Sequence, residues 1–387
     1  MLSPNPLTLL CALLLCLPLA VIFIATGPTA PISQNSIPSA IPTVKPNFKP
    51  QQLNAAKPPT TQPPSPHPPP WTPPESDVPL LRRAARVIPD PLTRPGKPRK
   101  LAFMFLTTTP LPMAPLWELF FNSAAASNLY NVYVHADPSL SYHTPFSGVF
   151  SGRVVPSHVT HRHTPSLVAA ARRLIAHALL HDRANAMFAL LSDSCIPLHS
   201  FNFTYSTLVG SGMSFVEMLE NQLETYGRWA ARGLDVMLPE VTIEDFRIGS
   251  QFFALTRRHA VAVVKDQQLW SKFQLPCVWI WTCYPEENYF PTLLSLVDSR
   301  GCVPATLTHV DWSDQSNGHP HTYEAEEVDP ALILKLRSDR PRYGDEEING
   351  SDSSLTKRHH PFLFARKFGP ETVEPLMSIA NDVILKD

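Results

Sequence analysis

Glycine is scarce in this 387-residue chain, at 14 residues, and charge is thin, at 17 % Asp, Glu, Lys and Arg. Soluble domains average about 25 % charged residues. With so little glycine and no three-residue period, a collagen-like fibre is excluded despite abundant proline. Neither sign of charge dominates: 32 basic residues face 33 acidic ones, a formal net charge of −1. Nothing therefore points to nucleic-acid binding through phosphate contacts. No P-loop, GxSxG, HExxH or GxGxxG occurs, so the commonest phosphate, acyl-transfer, zinc and dinucleotide signatures are missing. No CxxC pair exists, which weakens a zinc reading. The fifteen histidines are scattered and do not suggest a metal site either.

What is present is unevenly placed. Of the 43 prolines, 21 fall in residues 28–98, including the run PPSPHPPPWTPP at 63–74. Such composition cannot pack a core and favours extended polyproline II. We read residues 26–98 as a disordered stem, with Arg82, Arg83 and Arg86 as a solvated stretch within it. A ligand for proline-binding modules is the other reading. Residues 7–25 are apolar apart from Thr8 and Pro18, and no charged residue precedes Lys45. Nineteen residues at about 1.5 Å each approach the roughly 30 Å hydrocarbon core of a bilayer. The run is longer than a typical signal-peptide core, so we expect an uncleaved anchor behind a six-residue tail, with cleavage after Ala25-Thr26-Gly27 as the rival. Sequons at Asn202 and Asn349 favour the secretory lumen. There Cys195, Cys277, Cys283 and Cys302 could form one or two disulfides, in three possible pairings.

Residues 99–387 carry a different pattern. KLAFMFLTTT (100–109), NVYVHAD (131–137) and AMFALLSDS (186–194) read as strands. Helical patterns, LWELFFNSAAA and LVAAARRLIAHALL, separate them. This alternation predicts an α/β domain with a mostly parallel central sheet and flanking helices. In such sheets ligands sit at the carboxyl ends of the strands, here Thr107–Thr109, His135–Asp137 and Ser192–Ser194. Further on, QFFALT (251–256) and ATLTHVDW (305–312) read as strands, PEENYFPTLLSLV (285–297) and DPALILKLR (329–337) as helices.

Few residues stand out for chemistry. Glu286 and Glu287 sit at a predicted helix start, where acids are favoured by the dipole; a carboxylate there can also serve as a general base. Arg366 and Lys367 lie in the apolar frame PFLFARKF, either as cations on a strand edge or as partners of a diphosphate. No Asp-x-Asp triplet is available to hold a metal on such a diphosphate, so protein cations would have to neutralise it. Asp193 is a strand-end residue or a turn former, and Trp312 is core or a sugar-stacking platform.

Taken in order, LLSDSCIPLHSFNFTY, Arg228-Trp229, IGSQFFALTRRHA, CYPEENYFPTLL, THVDWS, His319-Pro320 and PFLFARKF resemble the core-2/I-branching β-1,6-N-acetylglucosaminyltransferase family, glycosyltransferase family 14, and most of all its plant branch. The resemblance covers roughly residues 98–385. It implies a GT-A-like fold and a Golgi type II membrane protein. It also implies transfer of N-acetylglucosamine or glucuronic acid from a UDP-sugar to a glycan, with inversion and without a metal or other cofactor. By motif, Glu287 matches the catalytic base, Glu286 being its less favoured neighbour, and Lys367 matches a diphosphate ligand. Arg366 is characteristic of the plant branch, and Arg337 is the candidate for a second diphosphate-binding arginine. Asp137 and Asp193 are expected near the nucleotide-sugar, and Glu217, Arg228 and Trp312 near the acceptor. A tyrosine expected shortly after the tryptophan is replaced by Asp314, and a lysine expected in the acceptor region by Thr225, which argues against an animal mucin-type acceptor. A lumenal carbohydrate-binding or scaffold protein on the same fold is the alternative; a two-carboxylate glycosidase would leave the basic pair without a role.

Overall fold

The computed structural model describes residues 77–89, 98–122, 128–142, 146–313, 319–345 and 360–387. The expected tail at 1–6, the anchor at 7–25, most of the stem and Asn349 lie outside the described residues. Among these residues, no helix is long and apolar enough to cross a membrane.

The chain runs α1 (Asp77–Ala84), β1 (Lys100–Thr107), α2 (Ala114–Phe121), β2 (Tyr130–Ala136), α3 (Ser166–His181), β3 (Asn185–Ser192), β4 (Ile196–Pro197) and α4 (Phe201–Ser211). It continues through β5 (Ser214–Phe215), α5 (Thr225–Trp229), β6 (Ala254–Thr256), α6 (Arg257–Lys265), α7 (Gln268–Phe273) and α8 (Pro285–Asp298). The last elements are β7 (Cys302–Val303), β8 (Thr308–Val310), α9 (Pro330–Ser338), β9 (Phe364–Arg366) and α10 (Val373–Ile379).

The main sheet has the order β2-β1-β3-β6-β5-β7. Strands β2, β1 and β3 are parallel, with Phe103 opposite Val132 on one side and Ala189 on the other. Strand β6 runs antiparallel to β3 and β5, and β7 is parallel to β5. The continuous apolar runs of β1 and β3 follow from burial on both faces. Ala102, Met104, Phe188 and Leu190 pack with Leu174, Ile175 and Leu179 of α3 and with Phe290 and Leu294 of α8. Leu101, Phe103 and Phe105 face Trp117, Phe120 and Phe121 of α2 and Phe201 of α4. This mixed α/β architecture fits the GT-A-like fold that the resemblance implies.

A second sheet, β4-β9-β8, pairs β9 antiparallel to β4 and parallel to β8. Strand β9 is therefore a middle strand, and the edge expected for PFLFARKF is not found; buried Phe364 and Ala365 draw it inward. The stem expectation also needs correction. Residues 77–84 form a helix, and Ala84 is buried in the main core. Arg173 of α3 donates to Asp77 at 2.5 Å, and Arg257 Nε donates to the Ile88 carbonyl at 3.1 Å. Within 77–88 only Pro79 interrupts, in the first turn, where proline is tolerated. Arg82, Arg83 and Arg86 do face solvent, as expected.

Candidate active site

Three segments separated in sequence converge on Glu287. Pro285 stands at the first turn of α8, where its fixed φ suits a helix start, and Glu286 and Glu287 follow. Arg228 of α5 donates through Nη1 to Glu287 Oε2 at 2.6 Å. The same guanidinium lies 4.5 Å above the Tyr284 ring, and its Nη2 is 3.4 Å from Glu224. A cation held by an aromatic face and two carboxylates is fixed in orientation. The Glu287 carbonyl accepts from Gly249 N at 2.8 Å, and Leu219 and Ile248 exchange backbone hydrogen bonds at 2.8 and 3.0 Å. These contacts bring Glu217 beside the pair. A Cβ on Gly249 would lie 2.1 Å from the Glu217 carbonyl oxygen, so only glycine allows the approach. Burial pushes the Glu217 carboxyl up, Arg342 at 3.9 Å opposes that, and the Glu287 charge adds to it.

The two neighbouring glutamates have opposite surroundings. Glu286 is 6 % exposed, and burial pushes its carboxyl up to about 8. Its Oε2 has no hydrogen-bond partner among the described residues. Glu287 is half-buried, with Oε2 on Arg228. A base must reach the proton it takes, so Glu287 has the access and Glu286 does not.

The basic residues come in from β9. Arg366 stacks 4.6 Å over Phe252, with its Nε buried and without a hydrogen-bond partner among the described residues. Lys367 is half-buried, and its carbonyl accepts from Tyr323 N at 2.8 Å. Phe368 N donates to the Ser194 carbonyl at 3.1 Å, which sets this segment against the carboxyl end of β3. Asp193 there accepts from Thr109 at 2.9 Å. His319 has its pKa lowered first by Arg162, whose Nη1 is 3.3 Å from the ring, then by burial, then by Lys367 and His163. The His163 ring in turn stands 5.0 Å from Tyr284.

A scan against protein families matches residues 101–337 to the model described as Core-2/I-Branching enzyme. A rice protein described as Glycosyltransferase BC10 (Oryza sativa subsp. japonica) is 33 % identical over 306 residues, 71 % of this chain and 74 % of that protein. The chain belongs to the Core-2/I-branching enzyme family. It is a glycosyltransferase, and the similarity to the rice protein places it with the plant branch.

The other residues expected in the site make contacts of their own. Asp137 spends both carboxylate oxygens within the chain, on Ser139 at 2.9 and 2.6 Å and on Thr160 at 2.7 and 2.8 Å. Burial would raise its pKa, but these hydrogen bonds bring the net shift down. Arg337 donates to the carbonyls of Val383 and Lys386 at 2.8 and 2.9 Å and sits 3.1 Å from His199. It ties α9 to the last residues, and none of these contacts reaches Arg366 or Lys367. Trp312 is 48 % exposed two residues past β8, whose Val310 pairs with Arg366. Among the described residues, no hydrogen bond, ring contact or cation–π contact joins Trp312 to Arg228 or Glu287. Asn202 is exposed in the first turn of α4.

Cys277 and Cys283 form a disulfide, while Cys195 and Cys302 are free and buried. Sequence reasoning missed the Gly249 contact and Arg342 beside Glu217. Scarcity of glycine was a usable signal for the first. Ser214 Oγ lies 2.6 Å from His259 Nδ1, with Asp298 3.3 Å from Nε2, but Ser214 is wholly buried and no acyl group could reach it. A nearby cavity of about 250 Å³, lined by Arg99, Met187 and His259, lies at the amino ends of β1 and β3, away from Glu287.

Proposed function

We propose that this chain is an inverting, metal-independent transferase that moves N-acetylglucosamine or glucuronic acid from a UDP-sugar to a hydroxyl of a glycan. The observation that carries the reading is the Arg228–Glu287 pair at 2.6 Å. Arg228 takes Oε2 and leaves Oε1 for a substrate hydroxyl. The hydroxyl proton passes to Glu287 as the oxygen attacks the anomeric carbon. The new C–O bond forms as the bond to the diphosphate breaks on the opposite face, and configuration inverts. UDP leaves with the bonding pair. Lys367 and Arg366 meet the charge that grows on the diphosphate, a role worth about 2.7–4 kcal/mol per donor in comparable sites. Cations supplied by the chain make a divalent metal unnecessary. The apolar run at 7–25 would anchor the enzyme as a Golgi type II membrane protein, with the catalytic domain in the lumen.

Glu287→Gln keeps the shape of the side chain and removes the base. The variant is expected to fold and to bind UDP while transfer falls at least a hundredfold. Transfer is measured with radiolabelled UDP-sugars, with and without chelator. Full transfer by the variant would overturn the assignment of the base, and loss of wild-type transfer in chelator would overturn metal independence. Absence of UDP and UDP-sugar binding by the wild type would support a carbohydrate-binding or scaffold protein instead.

A further inference from the structure

Residues 277–283, CVWIWTC, are closed by the Cys277–Cys283 disulfide. Their backbone is pinned to the turn that follows Arg228, since the amides of Val278 and Trp279 both donate to the Ala231 carbonyl, at 2.8 and 3.0 Å. With the backbone turned inward, the side chains point out. Trp281 is 80 % exposed, Trp279 47 % and Val278 62 %. Tyr226 of α5, two residues before Arg228, is 59 % exposed. Monomeric surfaces seldom carry so much apolar side chain in one place without a partner. A strap of seven residues closed by a disulfide and pinned through its second and third residues is built to present those rings.

The position identifies the partner. The Trp281 ring lies 6.5 Å from His163, which lies 5.0 Å from Tyr284. Arg228 stacks on Tyr284 and holds Glu287. The Trp281 indole is thus continuous with the site where the acceptor hydroxyl is activated, and Trp279 stands two residues before it on the same strap. A glycan extending from that hydroxyl offers flat C–H faces to indole rings and hydroxyls to polar neighbours such as Glu224 and His163. We propose that Trp279 and Trp281 form an additional acceptor subsite, which stacks sugars of an oligosaccharide beyond the one that is modified. This rests on the reading of Glu287 as the acceptor-side base. Such a subsite uses binding energy remote from the reacting atoms.

The test uses the full-length chain in detergent, with the variants Trp279→Ala, Trp281→Ala and Trp281→Tyr. Probes are cello-, xylo-, manno- and galactotetraose and the matching monosaccharides, without donor. Binding is followed by calorimetry and melting by fluorescence. At least one tetraose should bind the wild type ten times or more tightly than its monosaccharide. Each alanine variant should weaken that tetraose at least tenfold at unchanged melting temperature, and Trp281→Tyr should restore most of the loss. Tetraose binding that alanine leaves unchanged would overturn the subsite, as would the absence of binding to every tetraose. A change in sedimentation mass without a change in glycan binding would also overturn it and make the patch a contact between copies. Tryptophan-dependent binding without transfer from any UDP-sugar would keep the subsite and remove the transferase reading.

Discussion

Glu286 holds its proton at neutral pH, because burial pushes its carboxyl from 4.5 up to about 8. Between those values the unfolded chain is ionised at this residue and the folded chain is not. The folded state binds more protons there, so stability falls as pH rises through this window. Each unit of pH in it costs about 1.4 kcal/mol. Glu286→Gln removes the titration and keeps the shape. Its melting temperature should match the wild type near pH 4 and exceed it progressively up to pH 8, with transfer retained. Parallel melting curves for the two proteins across that range would show that Glu286 is ionised in the fold. The acidic pair was legible in sequence as a helix start with a possible base. Which member faces inward was not, because that depends on the turn of α8 against Arg232 and Arg228 rather than on composition. Arg232, also buried, has its own pKa lowered to about 10 by burial, with the Glu286 charge opposing.

At the scale of elements, the site depends on one backbone crossing. Gly249 passes so close to Glu217 that a methyl group would meet the carbonyl oxygen at 2.1 Å and the ring of Pro291 at 3.4 Å. The same residue holds the Glu287 carbonyl through its amide. Gly249→Ala must therefore push residues 217–219 away from α8 or break the hydrogen bond from its amide to the Glu287 carbonyl. Overpacking of this kind costs about 1–3 kcal/mol. Transfer should fall more than tenfold while UDP binding, which we propose at Lys367, persists, since β9 is not displaced. Denaturant midpoints, UDP titration and transfer rates measure the three effects separately. Normal transfer in a folded Gly249→Ala would show that the crossing does not position Glu287. The strands and helices around it were legible because their apolar runs and proline starts repeat known patterns, as in β1, β3, α3 and α8. The bridge between Leu219 and Ile248 was not, because a two-residue contact between loops leaves no periodicity in the sequence.

At the scale of the whole molecule, composition separated a proline-rich front from a packed remainder but misplaced the boundary. Proline density averaged over 28–98 hid a stretch, 77–88, with enough apolar residues to form one helix. The partner that makes the helix worthwhile, Arg173, lies nearly a hundred residues away and is buried. Arg337 shows the same long reach: its side chain contacts the carbonyls of Val383 and Lys386, which no local spacing reveals. The consequence for Asp77 can be measured. Burial alone raises its carboxyl, while Arg173 beside it favours the charged form, and each group keeps the other from being a lone buried charge. Asp77→Ala leaves the Arg173 guanidinium without that partner. Breaking a buried pair from one side costs about 3–5 kcal/mol. The expected result is a fall of that size in the unfolding free energy, read from denaturant curves as a lower midpoint, with a smaller fall for Asp77→Asn, which can still accept from Arg173. Removing residues 1–76 should cost little by comparison, because α1 and its ion pair stay, whereas removing residues 1–98 should cost at least as much as Asp77→Ala. Equal midpoints for the two truncations would mean that α1 adds nothing to the folded unit.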